Sequence, residues 1–535
     1  MTLDQTLITQ NPFAKQASAE LYPTATIIYH SDIERIGEKT ALLELKNRLC
    51  QNISRISPEF TQPTSDKARG IADPYISRKP LQLALVNGGL RVSKPADLAG
   101  SVTVNGRLLV DELFIVGKEW RHGVTITMSN RVVLFLHHAQ HKIPASPDNL
   151  GLLGESDAVI KLRQSIKKVS DLHIPVLIRG ETGTGKELVA QAIHQASRRK
   201  GQQFVSVNVA AIPESLAISE LFGSKKGAFT GATKDRSGYF QQADQGTLFL
   251  DEIGDAHEQV QVALLRTLET GDVTPVGSNG SIHVDVRLVA ATDADLEQSV
   301  MDERFRSPLL QRLAGFEIRI PPLRQRSEDI GRLLIHFLSA ELEKIGEAKH
   351  LDNTPQNVSF WAGFFAKACL YDWPGNVRQL KNIAQQLAIY NREIEFLVIP
   401  DHIQDLFSPN FSQLSDYSEP SVSGDHPVEQ EGAPLSSQPL PLRRKPSTVT
   451  EQELLSALEE QHWELKASAE HLNISRAALY KMIDNTPSIR TASEFTVEEL
   501  STSFKKASGD LELMVTELKI SKAALKRRLK DLQVL

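Results

Sequence analysis

Cysteine, excess charge of one sign and long apolar runs are all scarce in this 535-residue chain, and each scarcity excludes something. The 2 cysteines, Cys50 and Cys369, lie far apart without paired spacing, which argues against a disulfide framework or a thiolate metal site and suits a reducing compartment. No run approaches the roughly 18 apolar residues that a membrane span needs. The N-terminus MTLDQTLITQNPFAK also lacks a basic segment followed by an apolar one, so the expectation is a cytoplasmic protein with no membrane segment. Excess charge is small as well: 60 basic against 66 acidic side chains leave a net charge of -6. Any nucleic-acid contact must therefore come from a local basic face. What is present, 41% hydrophobic and 24% charged residues over this length, makes three or four globular domains.

The pattern changes along the chain. Within an expected N-terminal domain of residues 1–145, residues 24–140 read as β-rich, with strands expected at 25–29, 101–104, 123–128 and 131–136 and turns at Asn105-Gly106 and Ser129-Asn130. Across 147–322, apolar runs at 175–178, 204–209, 247–250, 286–290 and 316–320 alternate with amphipathic helices such as 186–196, which predicts a parallel α/β sheet. Residues 323–405 read as a helical subdomain, with Ser327 as the N-cap of a helix through 343. The stretch 406–448 is rich in Ser, Pro, Gln and Glu and too poor in large apolar residues to fold, so it reads as a flexible linker. In 449–535 an internal repeat aligns 465–483 with 511–529.

The chemistry concentrates in the α/β segment. Gly180, Glu181, Thr182, Gly183, Thr184, Gly185 and Lys186 follow an apolar strand and open a helix, the context a phosphate-binding loop requires. The glycines let backbone N–H groups face phosphates at the helix's positive end, and Lys186 adds a point charge. Glu187 stands where Ser or Thr would usually help hold Mg²⁺. The strand at 247–250 ends in Asp251 and Glu252, one carboxylate for magnesium and one to orient the attacking water. Alone, such a pair is also a common surface feature. Arg306 and Arg312 are spaced to share one side of a short helix, either as a solvated basic face or as arginine fingers for a γ-phosphate. Gly227, Ala228, Phe229, Thr230, Gly231 and Ala232 lie between the two halves of this site and have no evident part in hydrolysis. In isolation they fit an ordinary turn with Phe229 in a core; in this position they speak to what the energy is used for.

These residues carry a dense resemblance. GETGTGKELVAQAIH, ESLAISELFGSKKGAFTGA, GTLFLDEIGD, VRLVAAT, the FR…R pair and WPGNVRQLKN resemble, in order and interval, the AAA+ ATPase domain of bacterial enhancer-binding proteins that activate sigma-54 RNA polymerase. In that family Glu187 is usual. The resemblance implies that Asn208 couples the catalytic Glu252 to the GAFTGA loop, that Arg306 and Arg312 act in trans, and that Arg378 is the second sensor. It further implies ATP and Mg²⁺ as cofactors and a homo-oligomer, dimeric when inactive and a hexameric ring when active, whose Phe229-Thr230 tip presses on sigma-54. Two departures stand out. The first sensor reads Thr292-Asp293 where the family has Thr-Asn, and Pro308 replaces an Asp between the fingers, which puts the local helix in doubt. A DNA-binding regulator with a vestigial ATPase and a general AAA+ remodeller are the competing classes; the intact acids and arginines speak against the first, and the intact GAFTGA against the second.

The two ends resemble known modules as well. The repeat resembles the Fis-type helix-turn-helix, in tandem instead of the usual single copy. Ser475, Arg476, Tyr480 and Lys481 in one copy, and Ser521, Lys522, Lys526 and Arg527 in the other, are the implied contacts to upstream enhancer DNA, against a bland reading as a helical packing module with solvated lysines. The N-terminal segment resembles a forkhead-associated β-sandwich, which implies a phosphothreonine protein as partner. Glu38 stands where that family places its phosphate-binding Arg, and Pro80 where it has a structural His; Arg35, Ser77, Arg78 and Asn105 are the candidate phosphopeptide residues. The bland reading is a sandwich used for interdomain or oligomer contacts. The expected whole is multidomain: a β-sandwich, an α/β P-loop ATPase with a helical lid, and an all-α helix-turn-helix region.

Overall fold

The structure, a computed structural model, describes residues 20–62, 67–140, 149–228 and 234–407, the helix Glu451–Glu460 and isolated positions from 463 to 525. Residues 1–416 form one compact unit and 417–535 a second.

The N-terminal segment is a sandwich of two antiparallel sheets. Strand Leu21–Tyr29 lies between Lys39–Ala41 and Val132–Gln140, and the sheet continues through Val124–Met128 and Val102–Val104 to Arg107–Leu108. The second sheet orders Gln51–Ile53, Leu81–Val86, Gly89–Ser93 and Glu112–Ile115. All four expected strands are present within a residue or a few, and Asn105-Gly106 and Ser129-Asn130 turn with positive φ as their composition requires. Alternate residues Ala25, Ile27, Leu134 and Leu136 point into the shared core with Ile53, Leu83 and Val92.

The opposite face of the larger sheet is apolar too, and it is covered by the helical subdomain. Ile28, Tyr29, Ile36, Val133 and Phe135 join one continuous core with Leu333, Leu334, Trp361, Phe364 and Phe365. The Tyr29 and Phe365 rings lie 5.0 Å apart. Helix Ile330–Lys344 approaches the sheet so closely that a Cβ on Gly331 would lie 2.4 Å from the Ile28 carbonyl oxygen, so only glycine fits there. Polar contacts frame this apolar seam: Arg332 Nε donates to Ile36 O at 3.4 Å, and Arg131 to Asn353 Oδ1 at 3.3 Å.

The central sheet is fully parallel, in the order Phe204–Asn208, Thr247–Asp251, Arg287–Thr292, Val176–Arg179, Phe316–Arg319. Successive residues feed opposite faces: Leu177 enters one core, Val176 and Ile178 the other, where helices Asp157–Ser170 and Lys186–Gln195 pack. Burial on both faces is why these strands read as unbroken apolar runs. Helices Ile330–Lys344, Pro355–Leu370 and Asn376–Tyr390 then form the lid. Ser327 does not cap the first of them. It opens a short 3-10 turn, Ser327–Asp329, donates its hydroxyl to Arg324 O, and leaves Asp329 at the cap position.

Asp329 ties this turn to the α/β body, accepting from the Glu155 and Ser156 N–H groups at 2.6 and 2.9 Å. Beside it a small cavity joins sandwich, body and turn, lined by Lys39, His137, Glu155, Asp157, Glu328, Asp329 and Arg332. Burial of its carboxyl pushes Glu328 from its ordinary 4.5 up to about 8, with Asp329 and Asp157 adding to the rise and Lys39 opposing it. A raised carboxyl holds its proton in the folded state, so its stabilising share is present below pH 4.5 and lost as pH rises through about 8. Glu328→Gln is therefore expected to melt close to wild type near pH 5 and several degrees above it near pH 8. A difference in melting temperature that does not change with pH would rule this out.

Candidate functional site

The cleft at the carboxyl ends of the parallel strands is the place where an α/β sheet binds ligands. Strand Val176–Arg179 leads into the loop, Gly185 turns left-handed with φ of 102°, and helix Lys186–Gln195 begins. The cleft has a volume of about 550 Å³, and Thr182 to Val189, Asp251, Glu252, Arg326, Arg378 and Lys381 line it. Leu152, Leu333 and Phe337 give it an apolar end. One wall belongs to the sheet and one to the lid, so lid position sets its shape.

Lys186 Nζ sits 2.9 Å from Glu252 Oε1. Glu252 itself takes a left-handed backbone with φ of 53°, a strained conformation held by its surroundings. Burial raises its carboxyl above the ordinary value; Lys186 opposes this, and Asp293 and Asp251 reinforce it. Asp293 accepts the Thr182 hydroxyl, and its own N–H reaches toward Glu252 Oε2 at 3.4 Å. The acid at position 293 thus adds negative potential at the Glu252 carboxylate. Thr292 faces inward, its carbonyl accepting from Gly180 N–H at 3.2 Å. Asp251, one residue before Glu252, offers a hard oxygen at the cleft, a donor that suits Mg²⁺ shared with phosphate.

Asn208 lies directly across from Asp251 on the neighbouring strand. Its side chain accepts from Ala211 N–H at 3.2 Å and caps the next turn, while the Glu252 carboxylate is held by Lys186. Glu181 has a role the sequence reading missed. Arg324 grips its carboxylate through both nitrogens, at 2.8 Å from Nη1, and Asn376 Nδ2 adds a bond at 3.1 Å. The side chain of Glu181 thus belongs to a lid clamp and not to the phosphates. Asn376 was visible in WPGNVR beside Arg378, but its partner, distant in sequence, was not. Gly183 completes the clamp: a Cβ there would lie 2.4 Å from Gly375 O.

Arg306 and Arg312 are exposed, paired with Glu258 at 2.6 Å and Glu269 at 3.6 Å, and neither lines the cleft of its own chain. Pro308 does not disturb the helix that carries them. It falls in the first turn of Ser307–Leu313, where a missing N–H costs nothing. The base of the GAFTGA loop is pinned by reciprocal backbone bonds between Ser224 and Arg236 at 2.9 and 2.8 Å and by the Lys225–Asp235 pair at 2.7 Å. Gly227 turns with φ of 81° and Ala228 follows; Phe229, Thr230, Gly231 and Ala232 lie outside the described residues. So do Ser475, Arg476, Tyr480, Lys481, Ser521, Lys522, Lys526 and Arg527.

In the sandwich, Arg35 is removed from the candidate phosphopeptide residues. It is 1% exposed, and its guanidinium is engaged by Glu38 and by the carbonyls of Gly70 and Ile71. The carboxylate at 38 made a buried intramolecular pair with the nearest arginine, and Arg69 closes it from outside at 3.1 Å. Arg78 is exposed and Ser77 partly so; Asn105 Oδ1 accepts from Thr125 N–H at 2.9 Å. Among the described residues no helix is long and apolar enough to cross a membrane.

A parallel sheet with a phosphate loop, an acid pair at a strand end and a helical lid clamped to that loop defines a P-loop ATPase of the AAA+ class. Residues 152–319 match the sigma-54 interaction domain, and 324–410 the AAA+ ATPase lid domain. The chain is 36% identical over 375 residues to the anaerobic nitric oxide reductase transcription regulator NorR of Citrobacter koseri, covering 66% of this chain and 72% of that protein. It is 44% identical over 270 residues to the transcriptional regulator NtrC of Escherichia coli K12, covering 50% of this chain and 55% of that one. A signal-transduction and transcriptional-control protein of Clostridium beijerinckii is 44% identical over 246 residues, covering 46% of this chain and only 38% of that protein. NtrX of Brucella abortus in complex with ADP is similar at 28% identity and a TM-score of 0.42, covering 63% of this chain and 69% of that one. The chain belongs to the family of sigma-54-dependent transcription activators.

Proposed function

We propose that this chain is an ATP-driven transcription activator that binds upstream enhancer DNA, assembles as a hexameric ring and remodels the closed complex of sigma-54 polymerase through its GAFTGA loop. The observation that carries this reading is the placement of that loop. Its pinned base follows helix Glu214–Phe222, which follows Asn208, and Asn208 lies across from Asp251 at the hydrolytic end of the sheet. A change at the acid pair has a short path to the loop. In the ring, Glu252 orients the water that attacks the γ-phosphate, Lys186 leaves Glu252 for the phosphates, and Arg306 and Arg312 of a neighbouring copy stabilise the transferring group. Asp251 would hold Mg²⁺, whose charge offsets that of the phosphates. Exposure of both arginines, away from their own cleft, supports their use in trans. The C-terminal repeat, through Ser475, Arg476, Tyr480, Lys481 and their counterparts in the second copy, is the DNA-binding part, and the cytoplasm is the setting this requires.

The sandwich is proposed as a forkhead-associated domain in fold, with its phosphothreonine site altered. With Glu38 and Arg35 paired inside, Ser77, Arg78 and Asn105 remain as candidate contacts. The reading is tested by ATP-dependent open-complex formation at a sigma-54 promoter with the full chain. Wild type is expected to open it, and Thr230→Ala to keep ATP turnover within a few-fold while losing opening. Turnover without opening by the wild type would defeat the proposal.

A further inference from the structure

Among the described residues, four arginines are almost fully buried: Arg35, Arg163, Arg287 and Arg326. Three have near acceptors for their terminal nitrogens, although the Nε of Arg163 and of Arg287 is, like that of Arg326, buried without a partner. Arg35 has Glu38 and two carbonyls, Arg163 has Leu152 O and Gly154 O at 2.5 and 2.6 Å, and Arg287 has Ser170 O and Val169 O. Arg326 differs. At 5% exposure it makes one long bond, Nη2 to Thr184 O at 3.5 Å, and its buried Nε has no partner. A guanidinium removed from water without acceptors is costly, and such a group persists where something else supplies them. Both acids that follow it in sequence are already placed: Asp329 on the 155–156 backbone and Glu328 in the cavity beside Lys39.

Arg326 lines the nucleotide cleft together with Lys186, Arg378 and Lys381. We propose that Arg326 is a nucleotide-binding residue, which exchanges its long bond to Thr184 O for phosphate oxygens of a bound nucleoside triphosphate. Its fork of N–H donors suits that anion, and burial strengthens the bonds. Its position adds a consequence. It sits in the connection between the last strand of the sheet and the first lid helix, with Asp329 N–H bonded to its own carbonyl at 2.9 Å. Movement of Arg326 on nucleotide binding therefore reaches the turn that holds the lid and sandwich to the body. This inference rests on the ATPase reading but assigns a residue outside the loop, acid pair, fingers and sensors.

The experiment measures MANT-ATP affinity by fluorescence for the full-length wild type, Arg326→Gln and Arg326→Lys, with displacement by inorganic tripolyphosphate and thermal melting in parallel. Arg326→Gln is expected to weaken MANT-ATP binding about tenfold or more, since a charge-assisted bond to phosphate is lost. Tripolyphosphate should lose by a similar factor, and Arg326→Lys should recover part of both. A purely structural role would lower the melting temperature and leave the tripolyphosphate affinity of the folded fraction unchanged. Should Arg326→Gln not fold, Arg326→Lys carries the test, with a severalfold loss expected because a point charge lacks the fork. A folded variant that binds both ligands within twofold of wild type overturns the inference. Failure of the wild type to bind MANT-ATP would overturn the ATPase reading instead.

Discussion

Glu252→Gln is expected to reduce ATP turnover by about 10²-fold or more while leaving nucleotide binding in place. The amide keeps the size and one acceptor of the carboxylate but cannot polarise the attacking water. It also cannot hold Lys186 as the present ion pair does, at 2.9 Å. Freed of that partner, Lys186 meets phosphate without first giving up a carboxylate, so affinity for ATP should be equal to or above that of the wild type. Single-turnover hydrolysis together with equilibrium binding separates the two effects. Parallel loss of binding and turnover would show that Glu252 acts mainly as a structural partner of Lys186. The companion change Asp293→Asn removes one of the charges that raise Glu252 and should bring its carboxyl back toward the ordinary value.

The other large effect concerns the seam between sandwich and lid. Phe365→Ala is expected to lower stability by about 3–5 kcal/mol, the usual cost of emptying an aromatic site in a core. Phe365 is fully buried and lies against Tyr29 of the sandwich as well as Trp361 of its own helix. Its loss should therefore loosen two domains at once. Thermal melting and limited proteolysis between residues 140 and 149 measure this together, the expected result being a lower midpoint with faster cleavage there. Unchanged proteolysis at a lowered midpoint would mean that the seam is held by its other residues, Ile28, Val133 and Phe135.

That seam shows where sequence reading stopped. Val132, Val133, Leu134, Phe135 and Leu136 form an unbroken apolar run in a strand whose sheet is antiparallel. A half-solvated antiparallel strand alternates, so the run signalled a second covered face. What covers it, a lid more than 190 residues further along the chain, has no local signature. The same limit explains Arg35. Three residues from Glu38, it was legible as a nearby charge, but whether it faced a ligand or the core depended on the carbonyls of residues 70 and 71. Charge reversal at 38 looked like a damaged site and proved to be half of a buried pair.

By itself the sequence determined the ATPase. Its five strands, its loop, its acids and Arg378 are specified by local patterns, because a phosphate site needs a short glycine-rich turn between a strand and a helix, and both elements announce themselves by periodicity. Tertiary structure alone decided how the parts are joined: Glu181 to Arg324 and Asn376, Arg326 left with a single long bond in the cleft, and the sandwich sealed onto the lid. These depend on which distant groups meet after burial. Burial makes any charge costly unless a partner offsets the lost hydration, and no local pattern records that partner.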